Sequence, residues 1–317
     1  MSDAVRIGVS ACLLGQRVRY DGAHKEDPFL TGTVADLVTL VPVCPEVELG
    51  LGTPRETIHR VRGRGGVRLV GTQSGADHTA AMRRHARARV RALAALGLDG
   101  FVLKKDSPSC GLERVRLRGP DGAVAREGSG LFAEALLAGI PQLPVEEEGR
   151  LRDPRRREGF FVRVFAYRRL RALWARPRWR LGDLVRFHTA EKLLLLAHDR
   201  AGHRELGRLV ACARDVSRGA LRRRYSDGFM TTLGRRATRR KHTDVLQRAQ
   251  GHLERLLAAD ARRALAEAIE DYRLERAPLI VPLTLLRHHV RAHGVEDLAG
   301  QSYLEPHPTE LALRFHA

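Results

Sequence analysis

The chain has 317 residues, of which 43% are hydrophobic and 29% charged, so it can bury a core and wholesale disorder is excluded. No run of 18 apolar residues occurs, which excludes a membrane-spanning helix. The 56 Lys and Arg residues outnumber the 37 Asp and Glu residues, and the resulting formal charge of +19 indicates a polyanionic partner.

The first 145 residues alternate between predicted strands and predicted helices. Residues 79–100 are rich in Ala and Leu, and Gly97 predicts the end of that helix. Three short β-rich runs are predicted as strands, the last ending near Leu103: residues 5–12, 36–44 and 100–110. This alternation predicts an α/β domain that is Rossmann-like, with a mainly parallel sheet.

A change of pattern marks the predicted domain boundary. Residues 145–158 are charged, contain proline and lack periodicity, so one domain is predicted at residues 1–150 and a second at residues 151–317. From Phe160 onward the sequence predicts an all-α domain. Four helical stretches establish the pattern: residues 181–199, 203–216, 244–275 and 281–293.

The positive charge is concentrated in the middle of the chain. Residues 1–150 have a net charge of +3, residues 151–250 have +18 from 27 basic and 9 acidic residues, and residues 251–317 have −2. A GC-rich genome would account for Arg in place of Lys, but not for a threefold basic excess in one segment. Nucleic acid is therefore the predicted partner of that segment, with an acidic membrane surface as the alternative.

Three of the four cysteines share a position relative to the predicted strands, and the fourth does not. Cys212 lies in a helical stretch among apolar residues and is predicted to be buried. Cys12, Cys44 and Cys110 each lie at or just beyond the carboxyl end of a predicted strand. Such ends converge on one edge of a parallel sheet, so the three thiols are expected to meet in space. The start of the chain reads as a strand rather than a signal peptide, so we expect a cytoplasmic protein without disulfides.

Three converging thiols allow three interpretations. They could hold a [4Fe–4S] cluster with one iron open to a substrate, since such clusters are normally held by four cysteines. They could hold zinc, with His24 completing the ligand set. They could also be three unrelated buried thiols, and their spacing alone does not decide among these interpretations.

Three segments resemble, in the same order, the three motifs of the thiouracil desulfurase (TudS) family. They are VSACLLGQRVRYDG (9–22), VPVCPEVELGLGTPRE (41–56) and LKKDSPSCG (103–111). From about residue 187 the chain resembles a helical domain of long-unknown function that is often fused behind that family. The fused arrangement is similar to that of tRNA 4-thiouridine desulfurases, in which the helical domain is thought to carry the RNA.

The resemblance implies an activity and the residues for it. The family places a [4Fe–4S] cluster on three cysteines, which correspond to Cys12, Cys44 and Cys110, and one iron stays open. It assigns acid–base roles to the residues that correspond to Glu46 and Ser107. The implied reaction is non-redox desulfuration of 4-thiouridine in tRNA to uridine, with release of hydrosulfide.

Several alternatives stay open at the level of sequence. Glu48 is a second carboxylate close to Glu46, so either could be the essential base. Free thiouracil or another small thio-compound is the alternative substrate, although the +18 segment argues against it. A nucleic-acid-binding protein with a structural metal site is the non-enzymatic alternative. Two basic clusters are among the candidate phosphate contacts: Arg222, Arg223 and Arg224, and Arg235, Arg236, Arg239, Arg240 and Lys241.

Overall fold

The computed structural model describes residues 4–315 and divides the chain into an N-terminal unit that ends at Asp153 and a C-terminal unit that begins at Pro154. The predicted fold class is confirmed, because the first unit is α/β and the second is helical. No helix within this described range is long and apolar enough to cross a bilayer.

The N-terminal unit contains two four-stranded sheets and three α-helices within the described residues. The strands are β1 (Arg6–Ser10), β2 (Thr39–Val43), β3 (Ile58–Gly63), β4 (Gly66–Gly71), β5 (Gly100–Leu103), β6 (Arg116–Arg118), β7 (Val124–Arg126) and β8 (Val145–Glu147). The helices are α1 (Pro45–Glu48), α2 (Thr79–Leu96) and α3 (Leu131–Gly139). Shorter turns of 3₁₀ or π helix lie at Ala11–Leu14, Leu30–Val34 and Arg150–Arg152.

The first sheet is parallel, with strand order β2-β1-β5-β8. Both faces of its central strands are covered, since Val9 in β1 and Phe101 in β5 are fully buried. A Cβ at Gly8 would lie 2.3 Å from the Phe101 ring, so β1 accepts only glycine at this contact. Helix α2 ends at Gly97, whose φ of +70° is left-handed, as predicted.

The parallel arrangement determines where the chain leaves the sheet. Ser10 at the end of β1 pairs with Val43 at the end of β2, and Val9 pairs with Val102 near the end of β5. The segments that follow these three strands therefore begin at one edge. Those segments contain the three cysteines that the sequence singled out.

The second sheet has the order β4-β3-β6-β7 and was not anticipated as a sheet from the sequence. The glycine-rich turn between β3 and β4 closes an antiparallel hairpin, and β6 pairs with β3 in parallel. Strand β8 pairs with β5, although it lies within residues 145–158, whose sequence lacks periodicity. Strands of three residues give too short an alternation to be recognised from sequence.

The C-terminal unit is built from nine α-helices among its described residues. They are α4 (Pro154–Ala175), α5 (Leu181–Ala190), α6 (Lys192–His198), α7 (Arg200–Ala211), α8 (Arg218–Gly234), α9 (Arg239–Leu253), α10 (Ala259–Arg273), α11 (Ile280–Ala292) and α12 (Glu296–Ala299). Short 3₁₀ turns lie at Ala213–Asp215, Thr309–Leu311 and Leu313–Phe315.

Three expectations about this unit are wrong. The single helix expected at residues 181–199 breaks at Glu191, whose buried carboxylate pairs with Arg169 at 2.6 Å. The helix expected at residues 244–275 is interrupted before Ala258, where the backbone becomes extended. Cys212 is exposed rather than buried, because it caps the end of α7, where the backbone leaves the helix.

Candidate active site

A cavity of about 380 Å³ lies at the sheet edge where β1, β2 and β5 end. Cys12, in the 3₁₀ turn after β1, lines this cavity together with Cys44, which follows β2 directly and caps the start of α1. Cys110, in the loop after β5, lines it as well. The fold therefore brings the three thiols around one space, although they are far apart in sequence.

Burial disfavours the ionised form of all three thiols. It raises the pKa of Cys12 to about 11, raises the pKa of Cys44, and raises that of Cys110 well above its ordinary value. The negative charge of Glu46 acts on Cys110 in the same direction. Because metals bind thiolates, a cationic group must accept these sulfurs before all three can ionise in one cavity.

The donor set fits a metal ion or cluster that thiolates bind. Thiolate donors select zinc or iron–sulfur clusters. Within residues 4–315, however, no three His, Cys, Asp or Glu side chains are grouped closely enough to bind a single metal ion. His24, the expected fourth ligand for zinc, is exposed, does not line the cavity and accepts the Glu26 N–H at 3.3 Å.

Glu46 lines the same cavity from the first turn of α1. Its Oε2 atom accepts two hydrogen bonds from Arg55, at 2.6 Å from Nη2 and 3.2 Å from Nε. The Arg55 side chain is 6% exposed and that of Glu46 is 14% exposed, so this ion pair is largely shielded from water. The pair fixes the direction of the carboxylate toward the cavity.

Arg55 also connects two loops of the cavity wall. Its Nη1 atom donates to the carbonyl oxygens of Val18 at 3.0 Å and Gly52 at 2.8 Å, and its backbone N–H donates to Tyr20 at 2.9 Å. Sequence reasoning assigned Arg55 no role. The available signal was its place within the second motif, nine residues after Glu46.

Glu48 is placed differently from Glu46. It does not belong to the cavity lining; its Oε1 atom accepts the Cys44 N–H at 3.3 Å, and its Oε2 atom lies 2.9 Å from Nε of Arg89. The carboxylate therefore braces α1 against α2. Of the two acids that the sequence left open, Glu46 is the one that a molecule in the cavity could contact.

Ser107 lines the cavity beside Cys110. Its Oγ atom accepts the backbone N–H of Ser109 at 3.2 Å and that of Cys110 at 3.0 Å. Both contacts use the oxygen as an acceptor, so the hydroxyl hydrogen is available to donate to a bound molecule. Ser107 thus shapes the loop that holds Cys110 and presents a donor to the cavity.

The rest of the lining is polar and partly aromatic. Tyr20 is 42% exposed, and the Arg19 guanidinium lies 5.3 Å from its ring. Ser10 accepts the backbone N–H of Lys104 at 2.9 Å, which ties the first cysteine segment to the third. A cavity with thiols, a fixed carboxylate and an aromatic ring can accept a small planar polar molecule.

Comparison with known proteins separates the chain into two matched regions. Residues 7–148 match the family model described as 2-thiouracil desulfurase, and residues 192–308 match a protein family of unknown function, DUF1722.

The chain covers most of the length of each of three similar proteins. YbgA of Escherichia coli K12, an uncharacterized protein, is 31% identical over 157 residues, which are 48% of this chain and 90% of YbgA. YbbK of Bacillus subtilis 168, also uncharacterized, is 33% identical over 108 residues, or 32% of this chain and 71% of YbbK. The solved structure of the [4Fe–4S]-dependent thiouracil desulfidase TudS is 36% identical, covering 47% of this chain and 93% of TudS, with a TM-score of 0.38.

Proposed function

This chain belongs to the 2-thiouracil desulfurase family, and we propose that it removes the sulfur of 4-thiouridine in tRNA, leaving uridine and hydrosulfide. One observation supports the chemistry above all others: three thiols, Glu46 and Ser107 line a single cavity. The solved relative is a [4Fe–4S]-dependent desulfidase, and cysteine thiolates are the ligands that such clusters use.

Cys12, Cys44 and Cys110 would hold the [4Fe–4S] cluster, which leaves one iron without a protein ligand. When bound, the cluster supplies a soft Lewis acid that polarises the thiocarbonyl group. The reaction exchanges C=S for C=O: water provides the oxygen, hydrosulfide leaves with the sulfur, and no electron is gained or lost.

The chain's own residues handle the protons. Glu46 takes a proton from the attacking water, and Arg55 keeps the carboxylate in one orientation by holding its Oε2 atom. The Ser107 hydroxyl donates to the thiocarbonyl group at the reacting carbon, since its oxygen is already bound by two backbone N–H groups. Tyr20 provides an aromatic face near the base.

Exposed arginines of the C-terminal unit provide phosphate contacts in this proposal. Arg222, Arg223 and Arg224 on α8 are exposed. Arg239 and Lys241, which the sequence grouped with their neighbours as phosphate contacts, are used inside the unit instead. Arg239 lies 4.5 Å over the Tyr272 ring, and Lys241 donates to backbone carbonyl oxygens. A thiolated base stacked in tRNA has to be turned out before it reaches the cavity.

The cofactor can be tested by iron content. Protein purified without oxygen is expected to be brown and to contain about four irons per chain. Replacing Cys12, Cys44 or Cys110 by Ala should remove the iron, whereas Cys212→Ala is a matched control that should retain it, because that thiol is exposed and outside the cavity. Stoichiometric zinc without iron would contradict the cluster.

The substrate can be tested by sulfide release. We expect a higher kcat/KM for tRNA that contains 4-thiouridine than for free 4-thiouracil or 2-thiouracil, and we expect added salt to reduce this preference. The free base is the second candidate substrate, because the solved relative is a thiouracil desulfidase. An equal or higher kcat/KM for the free base would favour that alternative and contradict the tRNA assignment.

A further inference from the structure

Helix α2 contains five arginines and no acidic residue. One of them, Arg89, is paired with Glu48. Three others, Arg83, Arg87 and Arg91, follow one another at four-residue intervals, and all three are exposed. We call these three residues the arginine row.

The arginine row lines a groove of about 510 Å³ between α2 and α3. Buried Val90 and Leu131 contribute to its apolar surface, and α3 adds mainly alanine and glycine. An arginine stem can pack along such a surface while its guanidinium group stays in water. Among the described residues that line the groove, Glu134 is the one acidic residue.

Among the residues that the structure describes, the arginine row differs from many arginines of the same unit because it has no acidic partner. Arg68 pairs with Asp77 at 2.9 Å, and Arg126 pairs with Asp106 at 2.8 Å. Within residues 4–315, no carboxylate lies within 4.0 Å of a guanidinium nitrogen of the row. Nη2 of Arg83 donates a 3.3 Å hydrogen bond to the Val67 carbonyl oxygen.

We propose that the arginine row binds consecutive phosphates of the tRNA backbone, an inference that rests on the proposed function. Four residues of helix correspond to about 6 Å along the axis, so the cations form an evenly spaced line. A phosphodiester chain has one negative charge at every nucleotide and is the regular polyanion that such a line complements. An acidic polypeptide is the competing occupant.

The position of the row in the fold connects phosphate binding to the cavity. The opposite flank of α2 is fastened to the cavity wall, because Arg89 pairs with Glu48 and Glu48 accepts the Cys44 N–H. Phosphates bound to α2 would therefore be held by the same small unit that positions Cys44 and Glu46. The N-terminal unit would then help to set which nucleotide reaches the cavity, in addition to performing the chemistry.

The experiment compares two triple variants of the full chain. One is Arg83→Gln/Arg87→Gln/Arg91→Gln, and the control is Arg64→Gln/Arg116→Gln/Arg118→Gln, which removes equal charge from exposed positions of the same unit. Affinity for tRNA containing 4-thiouridine is measured at several salt concentrations. Each lost phosphate contact should reduce the magnitude of the slope of log K against log salt by about 0.7–0.9. The slope of the row variant should therefore be shallower than that of the wild type by about 2–3, and the slope of the control by less than about 1.

Iron content and sulfide release from free 4-thiouracil should be unchanged in both triple variants, because neither set of residues lines the cavity. If the row variant loses iron, the single variants Arg87→Gln and Arg91→Gln are measured instead. Each should reduce the magnitude of the salt slope by the amount expected for one phosphate contact.

A wild-type slope in the row variant, or equal losses in both triple variants, would overturn the inference while leaving the tRNA substrate intact. Absence of tRNA binding by the wild-type chain would overturn the substrate as well. Unchanged tRNA binding combined with weakened binding of polyglutamate would assign the row to an acidic protein instead.

Discussion

Replacing Arg55 by Met is expected to destabilise the N-terminal unit and to disable Glu46. The Arg55 side chain makes five hydrogen bonds: two to Glu46 Oε2, one each to the carbonyl oxygens of Val18 and Gly52, and one to Thr53 Oγ1. Methionine retains much of the apolar stem but supplies no donor. The substitution leaves the Glu46 carboxylate, 14% exposed, without its counter-charge.

The expected loss of stability follows from the burial of this ion pair. Removing one partner of a buried ion pair costs about 3–5 kcal/mol, because the other charge stays desolvated. Glu46 faces a cavity that water can enter, so the lower end, about 3 kcal/mol, applies. In a domain of about 150 residues, 1 kcal/mol corresponds to roughly 2–4 °C in Tm, which predicts a fall of about 6–12 °C in the transition of this unit.

A double-mutant cycle of Arg55→Met with Glu46→Gln measures the pair directly. Calorimetry of the full chain should show that the double variant loses less stability than the two single losses combined, because neither charge is then left alone. In sulfide release, Arg55→Met should lower kcat in the wild-type background but add nothing to Glu46→Gln. A fall in Tm below about 2 °C, or additive losses in both assays, would refute this account of Arg55.

Three further predictions concern two glycines, the Ser107 hydroxyl and the pH dependence of stability. Gly130→Ala should strongly destabilise the N-terminal unit in calorimetry, because its Cβ would lie 2.4 Å from the Ser109 backbone. Gly159 lies within α4 with open space around it, so Gly159→Ala should stabilise the C-terminal unit by about 0.5–1 kcal/mol. Ser107→Ala should retain iron and lower sulfide release less than Glu46→Gln does; wild-type turnover would count against a role for the hydroxyl. Burial lowers the pKa of His198 to about 4, so below pH 6.5 the unfolded chain binds a proton that the folded chain does not. Because of this residue, the free energy of unfolding measured in urea should be about 2 kcal/mol lower at pH 5 than at pH 7. The substitution His198→Asn should remove that difference.

The cavity could be anticipated from sequence because strand ends have a fixed geometrical meaning. Three short apolar runs, each followed by a cysteine, are enough to place three thiols at one edge once the sheet is parallel. The glycine that ends α2 was also readable, since a left-handed residue is required there.

What the sequence did not reveal depends on contacts between distant side chains. Glu46 and Glu48 are both acids in one short helix, and only the positions of Arg55 and Arg89 distinguish the cavity acid from the bracing one. The helix break at Glu191 has the same origin, because the buried Glu191 carboxylate pairs with Arg169, a residue distant in sequence. Periodicity describes which face of an element is apolar, and it does not report such pairs.

Net charge does not distinguish cations that are paired with local acids from cations that are not. The N-terminal 150 residues have a charge of only +3, which suggested that RNA affinity lies in the other unit. Several of their acids are occupied by local arginines, as in the pairs Arg68–Asp77 and Arg126–Asp106. A polyanion responds to the cations that stay unpaired, because only those release counterions from phosphates without first breaking a pair. The exposed row on α2 is therefore expected to count for more in tRNA binding than the near-neutral sum of its unit.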